Sequence, residues 1–266
     1  MRIFSSGGGV QSTAALVLAV QGKIDYPTFV FANVGNDSEH PDTLAYIEEI
    51  AKPYAGKNGI EFIEVQKRRM GKYEKQTVLG EAYRRKRSVP IPARMSNGAP
   101  GNRTCTVDFK IKIVDKWVAE HGGKDSELVT VGLGITTDEI HRAKHRPIAK
   151  VRGFQKEIAY PLIELGMNRS HAQRVVRDAG LPVPPKSACY FCPFHTPTEW
   201  VRLRNARPDL FDKAVELEKH INHKRQAVLK KDKVWLHPAL QPLDQAVGMQ
   251  FSFEALEGCE AGYCMT

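Results

Sequence analysis

Residues 6–12 read SGGGVQS, three consecutive glycines set between a short apolar stretch and an alanine-rich run. Glycine is costly in regular structure and serves where a chain must bend sharply or come close to something. In the run that follows, Val10, Ala14, Val17, Leu18 and Val20 are apolar at roughly helical spacing, and Gly22 is a C-terminal stop. The spacing predicts a strand over 2–5, a glycine turn, and a helix whose unpaired N–H groups face that turn. Such a junction is an anion site, with phosphate its usual guest. It is not the Walker-type loop, because no Gly-Lys-Ser or Gly-Lys-Thr occurs in the chain. Nor is it the dinucleotide fingerprint, since Ser12 stands where that motif has its last glycine.

Strands and helices then alternate. TFVFAN (28–33) and EFIEVQ (61–66) read as strands two and three, separated by a helix from Pro41 with Leu44, Ile47, Ala51 and Tyr54 along one face. Residues 67–104 are basic and irregular, with KRR, YRRKR and PIPARMSNGAPGNR. A helix over 108–121 leads to a strand over 127–133, and IAYPL (158–162) reads as a fifth strand. This alternation predicts an α/β fold, a parallel twisted sheet with helices on both faces, whose ligand sits at the carboxyl ends of the strands. The last hundred residues are helical in pattern. SHAQ (170–173) and TPTE (196–199) both fit the capping box, and a longer helix spans about 209–231. The expected organisation is a nucleotide-binding α/β domain over 1–164 and a helical, cysteine-containing extension over 165–266.

With 266 residues, 42% of them hydrophobic, the chain can bury a full core. It has no apolar run near 20 residues and no signal-like segment, so a cytoplasmic protein without a membrane partner is expected. The formal net charge of +9 points to an anionic partner without saying which. Five cysteines in such a chain read as ligands or reactive thiols rather than as a disulfide framework. Cys189 and Cys192, in SACYFCPFH, form a C-x-x-C half-site for a thiolate-bound metal, with His195 three residues on.

SGGGVQS resembles the SGGxxS/T signature of the PP-loop ATP pyrophosphatases (adenine-nucleotide alpha-hydrolase-like proteins). Two further stretches resemble the phosphoadenosine-phosphosulfate (PAPS) reductase-like branch of that superfamily. FANVGNDSEHPDTLAY is similar to its D-T-G-x-x-x-P-E-T-x-x-Y region through Asn33, Gly35, Pro41, Asp42, Thr43 and Tyr46, with Asn33 for the usual aspartate and a longer insert before Pro41. VGLGITTDEIHRA is similar to its G-x-x-x-x-E-x-x-R stretch through Gly134, Glu139 and Arg142. Cys105, Thr106 and Lys110 stand as the C-T-x-x-x-K element that precedes a C-x-x-C in the iron–sulfur members.

The resemblance implies ATP held by Ser6, Gly7, Gly8, Gly9, Gln11 and Ser12, adenine near Phe31, Asn33 and Gly35, and magnesium on the phosphates. It implies catalytic roles for Arg142, Glu139 and Lys110, although Glu139 equally reads as a dipole-stabilising helix N-terminal acid. It also implies a [4Fe–4S] cluster on Cys105, Cys189, Cys192 and Cys264, with zinc on Cys189, Cys192, His195 and one more cysteine as the rival. The closest kind is the ATP pyrophosphatase of DNA phosphorothioation (the DndC/SspD type), which adenylates an oxygen for replacement by sulfur. The expected partners are DNA rather than tRNA, through Lys67–Arg69 and Arg84–Arg87, and a sulfur donor such as a cysteine desulfurase, with a homodimer left open. Sulfonucleotide reduction is the runner-up, disfavoured because the tail GCEAGYC, with Cys259, departs from the reductases' terminal element. A zinc-stapled nucleic-acid-binding module is the non-enzymatic rival. Gly8→Val is expected to abolish ATP binding and leave the fold intact, because phosphate tolerates no side chain there.

Overall fold

The computed structural model describes residues 1–68, 74–85, 89–144, 147–227 and 231–248. Within them the chain divides into two units, one of Met1–Lys75 with Asp108–Ala188, the other of Gln76–Val107 with the described part of Cys189–Thr266. The division therefore does not fall at 164/165 as the sequence pattern suggests. The segment to Ala188 belongs with the sheet, and the excursion 76–107 belongs with the C-terminal helices.

The first unit is a six-stranded sheet. Its strands are β1 (Arg2–Ser6), β2 (Thr28–Asn33), β3 (Glu61–Gln66), β4 (Val129–Leu133), β5 (Ala149–Val151) and β6 (Phe154–Ala159), in the order β3-β2-β1-β4-β6-β5. All pairings are parallel except β5 with β6. The helices of this unit are α1 (Val10–Val20), α2 (Pro41–Tyr46) and α3 (Lys52–Lys57), and a second group follows later in the chain.

Strand side chains alternate between faces, so β1 feeds two cores at once. Phe4 stacks on Phe29 and packs with Leu16 of α1, Tyr46 of α2 and Ala55 of α3. Ile3 faces the other side, with Val30, Val131, and Val114 and Val118 of a helix over Lys112–Glu120. With both faces covered, β2 runs apolar from Phe29 to Ala32 without alternation, as buried parallel strands do. The α/β expectation with helices on both faces is met.

Local differences have local causes. The strand expected over 158–162 runs Phe154–Ala159 (β6), and it pairs with β5 through a hairpin turn at Arg152 (φ 47°) and Gly153 (φ 95°). Pro161 ends it, because proline cannot donate to a ladder and suits the first helical turn, which it occupies in the helix Pro161–Glu164. The helix near 170 runs Arg169–Asp178 and is capped by Asn168, whose Oδ1 accepts from His171 N–H at 2.8 Å, so SHAQ is not its capping box. The helices expected after Pro41 and over 108–121 are each interrupted by a π-helical turn, at Ile47–Ala51 and Val107–Ile111.

In the second unit the irregular basic segment contains a helix, Val78–Arg84, capped by Thr77. TPTE is a capping box as expected: Thr196 and Glu199 bond reciprocally at the start of the helix Pro197–Ala206. Pro208–Ala227 is the long helix. Its buried Glu218 accepts from Leu236 N–H at 2.7 Å and from Leu243 N–H at 2.8 Å, which holds the following segment down. No helix among the described residues is long and apolar enough to cross a membrane.

Candidate nucleotide site at the glycine loop

Strand order reverses between β1 and β4: β1 leads on to β2 at one side, while β4 lies at the other. Crevices for ligands open at the carboxyl ends of strands at such switch points. The loop Gly7–Gly9 leaves β1 there and enters α1. Val10 and Ser12 at the start of α1 are buried, yet the helix has no side-chain cap and no acidic residue in its first turn. A buried helix start of this kind leaves N–H groups and positive dipole to be met by a ligand.

The glycines are not equivalent. Gly8 has φ +74°, and a Cβ there would lie 2.9 Å from Ile47 Cδ1 and 3.0 Å from Thr43 Cγ2. Its bareness is therefore demanded by the protein behind the loop, and the expectation that Gly8→Val spares the fold is corrected. Gly9 is bare for another reason: a Cβ would stand 2.9 Å from Ser187 Oγ. At Gly7 the nearest atom is Ser12 Oγ at 3.5 Å, an ordinary contact. Hydroxyls brace the loop from within, Ser12 Oγ accepting from Gly7 N–H at 2.8 Å and Ser6 Oγ from Gly8 N–H at 3.3 Å.

The third motif group converges on the same point. A Cβ on Gly134, just past β4, would sit 3.2 Å from Gln11 Cβ, so this glycine lets the β4 exit lie against the start of α1. Gln11 Nε2 donates to Glu139 Oε2 at 3.4 Å, and Arg142 NH1 donates to Glu139 Oε1 at 2.6 Å. Glu139 thus links the loop helix to the arginine, on a 3-10 turn over Thr137–Arg142.

At the end of β2 the side chains are engaged within the protein. The buried Asn33 side chain is spent inside the protein: Nδ2 donates to Asn36 Oδ1 and to Glu64 Oε1, each at 2.8 Å, and Oδ1 accepts from Gly35 N–H at 2.8 Å. An aspartate here would set two carboxylates together, so an amide suits the place beside Glu64. Burial alone would raise the Glu64 carboxyl, but hydrogen bonds from Lys52 and Asn33 outweigh it and hold it below its ordinary range. Phe31 is buried, its ring edge 3.4 Å from the place of a Gly8 Cβ, and it supports the loop from beneath. Tyr46 donates to Pro182 O at 2.8 Å, and burial pushes its phenol up to about 12, so it stays a neutral structural tie. Lys110 is half-buried on the π-helical turn beside Phe109, whose ring carries the Lys67 ammonium at 4.2 Å.

Among the described residues of this unit, three buried side chains hold polar atoms without a hydrogen-bond partner: Glu39 (both oxygens), Thr43 Oγ1 and Thr136 Oγ1. All three follow the carboxyl ends of β2 and β4. The sequence pattern marks Thr43 but not Glu39, Thr136 or Ser187.

Cys105, Cys189 and Cys192 lie in the second unit as half-buried thiols. Cys192 N–H donates to Cys189 O at 3.0 Å, closing the C-x-x-C turn, and Cys105 N–H donates to Pro90 O at 2.8 Å. His195 Nε2 lies 3.0 Å from Cys189 O, while its buried Nδ1 has no hydrogen-bond partner. Among the described residues no three Cys, His, Asp or Glu side chains gather as a metal site. Cys259 and Cys264 lie outside the described residues. The basic stretch is partly neutralised: Arg84 and Arg85 both pair with the buried Glu81, at 2.8 and 2.9 Å. Arg69, Lys86 and Arg87 lie outside the described residues.

No protein-family model matches this chain, and no curated protein matches it.

Proposed function

We propose that the chain binds ATP on residues 6–12 and cleaves it to AMP and pyrophosphate, as the resemblance to the PP-loop ATP pyrophosphatases implies. The observation that carries this reading is the buried, uncapped, acid-free start of α1 at the β1/β4 switch point, behind a loop whose Gly8 takes a positive φ. An oxygen of the acceptor attacks the α-phosphorus, the bond to the bridging oxygen breaks, and its electron pair leaves with pyrophosphate. Loop N–H groups and Arg142 neutralise the charge that develops. Arg142 then exchanges Glu139 for phosphate oxygens, which its guanidinium fork suits. Magnesium would screen the phosphates, and the partnerless carboxylate of Glu39 is a donor of the right chemistry for it.

The acceptor in this proposal is a nucleic acid, DNA before tRNA. The persulfide sulfur of a partner such as a cysteine desulfurase attacks the adenylated centre, AMP leaves with the oxygen and its electron pair, and a thiol reductant then cleaves the S–S bond to leave one sulfur on the acceptor. The +9 charge and the resemblance support it. The test is AMP and pyrophosphate formation from ATP, with and without DNA or tRNA. Release of ADP and phosphate instead would refute the cleavage site. Thiol-dependent sulfite from PAPS would assign the reductase activity.

A further inference from the structure

Glycine loops that hold a triphosphate need a divalent cation beside them, and Mg2+ is bound through one or two carboxylates plus the phosphates themselves. This loop supplies no carboxylate: residues 6–12 contain no acid, and α1 contains none along its length. The acid must come from elsewhere at the carboxyl end of the sheet. Most acids described there are already engaged. Glu64 bonds Asn33 and Lys52, Glu139 bonds Arg142 and Gln11, Asp138 accepts from Arg169 N–H, and Asp37 accepts from Ser38 Oγ.

Glu39 differs. It is 1% exposed, and neither carboxylate oxygen has a hydrogen-bond partner. Its backbone is fixed, its N–H donating to Gly35 O at 2.9 Å and that of His40 to Ala188 O at 3.1 Å. The same two segments flank the glycine loop: Ser187 closes on Gly9, and Thr43, four residues beyond Glu39, closes on Gly8. A buried carboxylate without a partner is costly, and the cost is removed by a cation held against it.

Resting on the nucleotide reading above, we propose that Glu39 is the protein's carboxylate ligand for the magnesium that accompanies ATP, taking the place of the acid the loop lacks. The five-residue insert between Gly35 and Pro41 delivers it.

The experiment measures ATP affinity by calorimetry in EDTA and in Mg2+, for wild type, Glu39→Gln and Glu39→Asp. Wild type binds more tightly with Mg2+. Glu39→Gln keeps the EDTA affinity and loses about tenfold of the Mg2+ enhancement. Glu39→Asp, which restores the charge, recovers part of it. Melting of the apo protein is unchanged or raised in Glu39→Gln, because a buried charge is gone. An undiminished Mg2+ enhancement in folded Glu39→Gln overturns the assignment while leaving ATP binding intact. Failure of wild type to bind ATP in either buffer overturns the nucleotide reading and this proposal together. Should Glu39→Gln fail to fold, Mn2+ decides in the wild-type ATP complex: paramagnetic broadening of nuclear resonances of the Gly35–His40 segment supports the assignment, and its absence overturns it.

Discussion

Gln11 and Glu139, 128 residues apart, are joined side chain to side chain, amide nitrogen to carboxylate oxygen at 3.4 Å, and Glu139 takes Arg142 on its other oxygen at 2.6 Å. The first turn of the loop helix is thereby tied to the guanidinium proposed to meet the leaving pyrophosphate. In the proposed reaction Glu139 is a positioning residue, holding Arg142 until phosphate takes its place.

Arg142→Ala should lower the rate of AMP formation by about 10²-fold, the usual effect of removing one donor from a developing charge. The fold should hardly notice, because a half-exposed ion pair of this kind contributes about 1 kcal/mol or less. Rapid-quench measurement of AMP, alongside a urea melt, separates the two effects. Unchanged AMP formation would remove Arg142 from the reaction.

The glycines should separate binding from folding. Gly8→Val forces a branched side chain into a left-handed backbone and against Ile47 and Thr43, and should destabilise the protein by roughly 2–4 kcal/mol. Gly7→Ala meets only ordinary contacts and should melt like wild type. Any loss of ATP affinity in Gly7→Ala then reports on the ligand face of the loop. Urea denaturation with parallel calorimetry gives both numbers.

The second unit carries two buried titrating groups of opposite sign. Burial raises Glu218 to about 7, while burial and the nearby Arg94 charge lower His237 to about 4. Glu218 therefore contributes stability that is full below about pH 4.5 and lost as pH rises through 7; His237 contributes stability that is full above about pH 6.5 and lost as pH falls through 4. Across the shared window the two slopes nearly cancel. Glu218→Gln should unmask the histidine: stability should rise with pH by up to roughly 3 kcal/mol over that window. His237→Gln should reverse the slope. Urea melts at the two ends of the window decide it, and a flat profile in both variants would refute the pairing.

Arg84→Gln combined with Arg85→Gln should cost about 1–3 kcal/mol, because it strands the Glu81 carboxylate, which is 5% exposed. Adding Glu81→Gln should restore much of that loss. Nucleic-acid binding is therefore best compared in the triple variant. Affinity by fluorescence anisotropy should fall steeply with salt in wild type, since phosphate contacts release counterions. Salt-independent binding would argue against a nucleic-acid acceptor.

Metal analysis of protein purified without oxygen should find iron and sulfide, lost in Cys189→Ala and Cys192→Ala. Stoichiometric zinc in a colourless preparation would assign the C-x-x-C turn to a structural zinc instead.

The sequence by itself determined the periodic parts. The strands 28–33 and 61–66, the helix over 10–20 and the Thr196–Glu199 capping box appear where alternation, helical spacing and cap chemistry put them. These features depend on neighbours a few residues apart, which a sequence displays directly. Tertiary structure alone decided what depends on distant residues. Gly8 is bare because Ile47 and Thr43 stand behind it, Asn33 is an amide because Glu64 lies on the adjacent strand, and Arg84 and Arg85 are bound to a buried Glu81. Cys105 shares a unit with the C-x-x-C because the chain leaves the sheet at 76 and returns at 108. Glu39 reads in the sequence as one more polar residue in a loop; only burial, with both oxygens left without a partner, distinguishes it. Desolvation is set by the packed surroundings of a group, and no local pattern encodes them.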